Sequence, residues 1–265
     1  MSNIKAHLIT KSILAQFGDG RYVIQVDKNN SIREKNRPKK FAYVEHDEKL
    51  IQEAEDKWQL VEGRLKPAYK KLRKGELLAT GNEYYVDIFK KTLALHYVRS
   101  KTFYQIRKKI SVDLINKALA ELNLSLGGLN INQYKYAVNK FKQIFDEGVA
   151  KSLIKTYEDI INFIDNADLV VGRAVGINEF IIGDIPVLTI TSDHKLGVLQ
   201  NNITLDKANA VGMPVSKQYI IALSKNNKNK NYFDIDDEGV ISANSKQIQQ
   251  CLEYYYCRPD SMYDK

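Results

Sequence analysis

A chain of 265 residues, 44% hydrophobic and 27% charged, falls in the range of one large domain or two small ones and is long enough to bury a sizeable core. No run approaches the roughly 18 apolar residues of a membrane-spanning helix, and the N-terminal MSNIKAHLITKS lacks an apolar stretch followed by a small-residue cleavage site. A secreted or membrane-spanning protein is therefore not expected, and a cytoplasmic one is. Cys251 and Cys257 have no second pair or neighbouring histidine to complete a zinc site, so they read as free thiols, partly buried on a C-terminal helix. A net charge of +8 suits a polyanionic partner such as nucleic acid, because lysine and arginine release phosphate counterions. A solvated basic surface gives the same number.

In chain order, RYVIQVDKNNSIREKN alternates Tyr22, Ile24 and Val26 with Val23 and Gln25, which predicts a small hairpin. HDEKLIQEAEDKWQLVEGRLKPAYKKLRKGE carries Leu50, Ala54, Trp58, Val61, Leu65 and Leu72 at helical spacing, with basic residues gathering before Gly75 and a bend expected near Pro67. NEYYVDIFKKTLALHYVRSKTFYQIRKKI opens on Asn82 as a cap and places Tyr85, Phe89, Leu93 and Tyr97 on one face. A shorter helix in VDLINKALAELNL stops at Gly127 and Gly128, and Asn132 or a neighbour opens another long helix ending near Asp165. The Val- and Ile-rich runs DLVVGRAV, EFIIGDIPVLTI and QYIIALSK then have strand composition. KNNKNKNYFDIDDEG reads as an exposed loop and NSKQIQQCLEYYYC as a capped final helix.

The expected architecture is α+β in a single domain over 1–265. It has a helical part at about 46–165, strand-rich parts at about 20–45 and 166–240, and a helix at about 244–257. The sheet is expected to be small, mostly antiparallel, and built from both ends of the chain.

One residue stands out. Asp184 interrupts the otherwise apolar FIIGDIPVLTI, where burying an unpaired carboxylate would cost several kcal/mol. Gly183 before it and Pro186 after it predict a break in strand pairing that re-aims side chains. The carboxylate then serves a pocket as metal ligand, base or arginine partner, or bonds its own backbone in a turn. Together with Asp193-His194-Lys195 it imitates the acidic pair and lysine of metal-dependent nucleases, although TSDHKLG also makes a good exposed turn.

His96 and Arg99 fall on neighbouring positions of one helix face and suit a phosphate or anionic transition state. A paired arginine beside a buried histidine is the structural alternative. Glu62 lies at the edge of an apolar stripe and His7 in an apolar N-terminal segment; each alone would be a surface residue. KTFYQIRKK and YKYAVNKFK interleave bases with aromatics, as a nucleic-acid surface does, or place those aromatics in the core. Phosphate loops, nucleophile elbows and His-Glu-x-x-His are missing from the sequence.

HLITKSILAQF, VEGRLKPAYKKL, LALHYVRS, FIIGDIPV and GMPVSKQYIIAL, in that order from His7 to about Leu223, resemble the bacterial family known as domain of unknown function 4238. The family's patterns fall on His7, Glu62, His96 with Arg99, Asp184 and Pro186. Thr10 stands where a proline is expected, His96 for a glutamine-like residue, and Val215 for a leucine before Ser216. The resemblance implies that His7, Glu62, Arg99 and Asp184 converge on one pocket, and that the protein is a bacterial defence or toxin-type effector.

As a nuclease on RNA or DNA it would use His7 as acid or base and Arg99 with His96 to stabilise phosphate. Glu62 and Asp184, with Asp193 as a weaker third, would hold Mg²⁺ or another divalent metal. The alternative is a non-catalytic binding protein, a sensor of a phage component or an immunity or interaction protein, whose buried polar network is structural. The expected partners are nucleic acid or a protein.

Overall fold

The computed structural model describes residues 4–264 except 30, 47–49, 100–112, 115, 122–129, 166, 191–195, 198–209 and 225–231. β1 (Ile4–His7) pairs antiparallel with β4 (Tyr43–His46) as a two-stranded ribbon. Between them lie a single helical turn, α1 (Lys11–Leu14), and the predicted hairpin of β2 (Val23–Asp27) with β3 (Arg33–Asn36), in register Val23 to Asn36. Helices α2 (Leu50–Arg73), α3 (Glu83–Val98), α4 (residues 113–114 and 116–121) and α5 (Ile131–Asp165) follow. Asn130 opens α5, its side-chain oxygen accepting from the N–H groups of Asn132 and Gln133. Asn82 stands at the N-cap of α3, but its amide turns back to donate to the Glu76 carbonyl. No helix among the described residues is long and apolar enough to cross a membrane.

The second half supplies β5 (Asp168–Ala174), β6 (Ile182–Gly183), β7 (Leu188–Ile190), β8 (Leu196–Gly197), β9 (Ala210–Pro214), β10 (Tyr219–Ser224) and β11 (Tyr232–Ile235). The chain closes with α6 (Asp237–Gln250) and β12 (Tyr254–Cys257). A six-stranded sheet has the order β11-β5-β10-β9-β7-β8, antiparallel except where β11 runs parallel to β5. A four-stranded antiparallel sheet, β3-β2-β12-β6, joins strands from the two ends of the chain. The fold is α+β, as the composition of its two halves predicts. One continuous core joins Phe17, Trp58, Leu65, Phe89, Leu93, Ile164, Val171, Met213, Ile221 and Tyr256, and so draws on the N-terminal segment, the long helices and both large sheets.

The C-terminal region corrects the expectation of a helix at about 244–257. The helix begins earlier, capped by Asp236, whose carboxylate accepts from the Gly239 N–H at 2.9 Å, and Asp237 and Glu238 complement the dipole of its first turn. Asn244 is therefore a buried mid-helix residue and not a cap. The chain turns extended at Cys251, and Tyr254–Cys257 inserts as a strand between β2 and β6. Phe-Asp-Ile, expected in a loop, lies within β11.

Pro67 sits inside α2. It cannot bond to the Gly63 carbonyl four residues back, but both residues are exposed, so water can take that bond. A Cβ at Gly63 would meet nothing within 4 Å. Gly63→Ala is therefore expected to raise stability by about 1 kcal/mol through helix propensity, or roughly 2–4 °C in thermal midpoint. Calorimetry showing no rise would contradict this account of α2.

Candidate functional site

Among the described residues, two polar networks lie inside the protein. In the first, α2 offers Trp58 and Glu62 one turn apart, α3 offers His96 and, at its C-cap, Arg99, and the segment between β1 and α1 offers Thr10. The Arg99 guanidinium pairs with the Glu62 carboxylate and lies 4.7 Å from the centre of the Trp58 ring. The Thr10 hydroxyl donates to the same Glu62 oxygen at 3.0 Å, and the Thr10 N–H donates to His96 Nε2 at 3.1 Å.

His96 Nδ1 lies 2.7 Å from the Thr92 carbonyl. A carbonyl can only accept, so Nδ1 carries the proton, Nε2 is the acceptor and the ring is neutral. Burial pushes the His96 pKa down to about 4, with the nearby Arg99 charge acting in the same direction. Both ring nitrogens are thus engaged in a fully buried side chain. Glu62, its side chain 26% exposed, is the member of the group that reaches water.

The departures at positions 10 and 96 from the resembled pattern are in direct contact. A proline at position 10 would have no N–H to give; Thr10 has one, and His96 accepts it.

The second network surrounds Asp184. FIIGDIPVLTI is not one strand: β6 belongs to the four-stranded sheet and β7 to the six-stranded one, and Asp184 stands at the crossover. Its Oδ1 accepts from the Leu252 N–H at 2.8 Å, and its Oδ2 accepts from those of Glu253 and Tyr254 at 2.9 and 3.1 Å. Its own N–H returns to the Tyr254 carbonyl. The buried charge is therefore met by backbone donors at the junction of α6 and β12.

Sequence reasoning missed the other half of this network. Asn244, Gln247 and Gln250, at helical spacing on α6, face inward and bond the backbone of the segment leading into and out of the crossover. Asn244 accepts from Ile181 N–H and donates to the Glu179 carbonyl. Gln247 accepts from Gly183 N–H and donates to the Pro186 carbonyl; Gln250 donates to the carbonyls of Ile185 and Val187. Three amides on one helix stripe were the available signal. A Cβ at Gly183 would lie 2.9 Å from the Cys251 Cβ, so that glycine allows α6 its close approach.

The expected convergence of His7, Glu62, Arg99 and Asp184 divides in this way. Glu62, His96 and Arg99 meet, while Asp184 shares no described bond partner with them. His7 is the last residue of β1, its backbone opposite Tyr43. Asp193, with His194 and Lys195, lies outside the described residues, as does KTFYQIRKK. Among the described residues, no three His, Cys, Asp or Glu side chains gather in a metal-holding cluster. Burial raises the Cys251 thiol to about 12, with Asp184 adding to the effect, and Cys257 to about 11, so both are protonated at neutral pH. In YKYAVNKFK, Tyr134 and Tyr136 are exposed, outside the core.

Two outcomes follow from these networks. Asp184→Ala is expected to lower stability by about 2–4 kcal/mol in urea titrations, because three buried or half-buried N–H groups lose a charged acceptor. For His96, the unfolded chain binds a proton below the ordinary pKa near 6.5, while the folded protein takes it up only near 4. Stability from this group is complete above that ordinary value and is lost as pH falls across the window, by on the order of 3 kcal/mol. His96→Gln should flatten the slope of unfolding free energy between those two pH values, and an unchanged slope would sink the assignment.

No curated protein and no solved structure matches the chain. A family model described as "Protein of unknown function (DUF4238)" matches residues 5–261. With nearly its whole length covered, from the β1 ribbon through the C-terminal strand, the chain belongs to that family.

Proposed function

We propose that this protein works by binding, as an interaction protein or a sensor of a phage component in the bacterial cytoplasm, and that its buried polar networks hold the fold. The observation that carries this is the commitment of the candidate chemical groups to internal partners. His96 uses both ring nitrogens on Thr10 and Thr92, and both oxygens of Asp184 accept backbone N–H groups. A general base needs a lone pair within reach of substrate, and a metal ligand needs an oxygen facing the ion.

A second reading, nucleic-acid cleavage by a defence or toxin-type effector, draws on Glu62. Its partly exposed carboxylate beside Arg99 could hold Mg²⁺ or another divalent metal, or orient water, while the guanidinium stabilised a phosphate.

Incubating RNA and DNA with the wild type, with and without Mg²⁺, separates the two. On the binding reading neither substrate is cut, and Glu62→Gln costs about 1–3 kcal/mol of stability because a mostly buried Arg99 loses the charge of its Glu62 partner. Cleavage by the wild type that Glu62→Gln abolishes, with the thermal midpoint unmoved, would establish the second reading in its place.

A further inference from the structure

The C-terminal half of α2 and the turn that follows it expose Lys66, Lys70, Arg73 and Lys74 to solvent around a shallow groove of about 540 Å³, with Pro67 as the remaining wall. Lys74 has Glu76 at 4.0 Å, and Lys71, behind the groove, has the same carboxylate at 3.0 Å. Among the described residues no carboxylate lies within that distance of Lys66, Lys70 or Arg73. Arg73 is held in place: its guanidinium donates to Gln16 Oε1 and lies 6.0 Å from the centre of the Tyr69 ring, and the Gln16 amide is itself oriented by donating to the Ser12 carbonyl at 3.1 Å.

Cations near a helix C-terminus complement the dipole, but that effect fades beyond the last turn. Lys70 and Arg73 lie in the last turn, but Lys66 stands before it, so the dipole does not account for the whole row. At a rise of about 1.5 Å per residue, the row from Lys66 to Lys74 is roughly 12 Å long, enough to face about two or three consecutive phosphates of one nucleic-acid strand.

We infer that this face of α2 is a docking surface for the sugar–phosphate backbone of a nucleic acid, engaged by charge and not by base sequence. The inference rests on the binding reading above and names its partner. Among the described residues, Pro67 is the one apolar residue lining the groove, and no aromatic ring lines it for stacking. Four cationic heads with no ring for stacking suit phosphate contact better than base readout. The net charge of +8 adds steering toward the same partner.

The test uses the full chain and fluorescence anisotropy with labelled duplex DNA and single-stranded RNA of mixed sequence across a salt series. A K66Q/K70Q variant is compared with K39Q/K40Q, which removes the same charge from an exposed turn elsewhere. The expected result is that K66Q/K70Q weakens binding by roughly tenfold at ~0.1 M salt and makes the slope of log K against log salt shallower by about two, while K39Q/K40Q does neither. Equal weakening by both variants, or no binding by the wild type at low salt, overturns the surface. So does tighter, K66Q/K70Q-sensitive binding to anionic vesicles. Cutting of the labelled strands by the wild type would instead overturn the binding reading, with the surface still decided by the two variants' affinities in EDTA.

Discussion

The crossover at Asp184 is the point on which both sheets depend. β6 and β7 are separated by four residues of one apolar run yet lie in different sheets, so the chain between them leaves ladder pairing while buried. Each backbone group left there without a partner would cost about 1–3 kcal/mol. The amides of Asn244, Gln247 and Gln250 take those groups from one side, and the Asp184 carboxylate takes the N–H groups released where α6 ends and β12 begins. Two irregular segments, each unable to satisfy itself, complete one another. Their union also places β12 between β2 and β6, which joins the N-terminal hairpin to the rest of the molecule.

The network of Thr10, Glu62, His96 and Arg99 solves a similar problem at the helical end. The chain leaving β1 must dock against α2 and α3 in a mostly buried setting, and Thr10 gives its N–H to one helix and its hydroxyl to the other. Arg99 and Glu62 neutralise each other, and the face of Trp58 covers the guanidinium. A neutral histidine is what this position requires, since a second cation beside Arg99 would meet both repulsion and burial. Breaking either network exposes a buried charge or an orphaned backbone group, so both sites are costly to alter whatever the protein does.

On the binding reading proposed above, with the interior so committed, recognition falls to the outside. The exposed cationic row of α2 is built on a long helix whose opposite side supplies Leu65, Ala68, Tyr69 and Leu72 to the core. Rigid backing of this kind keeps surface charges in a fixed spacing, and a fixed spacing allows several contacts to form together with little ordering cost.

Local pattern alone determined much of this protein. Helical periodicity placed α2 and α3, alternation placed the β2–β3 hairpin, and Val- and Ile-rich runs between Gly and Pro placed β5 and β10, because each depends on neighbours in sequence. The oddity of Asp184 was equally legible, since a carboxylate in a buried run conflicts with its surroundings wherever the chain goes. His96 and Arg99 followed as a pair from helical spacing, and Glu62 joined them only through the family resemblance. What the tertiary structure decided were the partners: the donors to Asp184 lie 68 to 70 residues away, and Thr10 reaches His96 across 86. Tyr254–Cys257 became a strand because a slot between β2 and β6 was open to it, and Asn244 became an interior amide because α6 began at Asp237. Neither outcome is written in a short window, because pairing between distant segments depends on which backbone groups the rest of the fold leaves without partners.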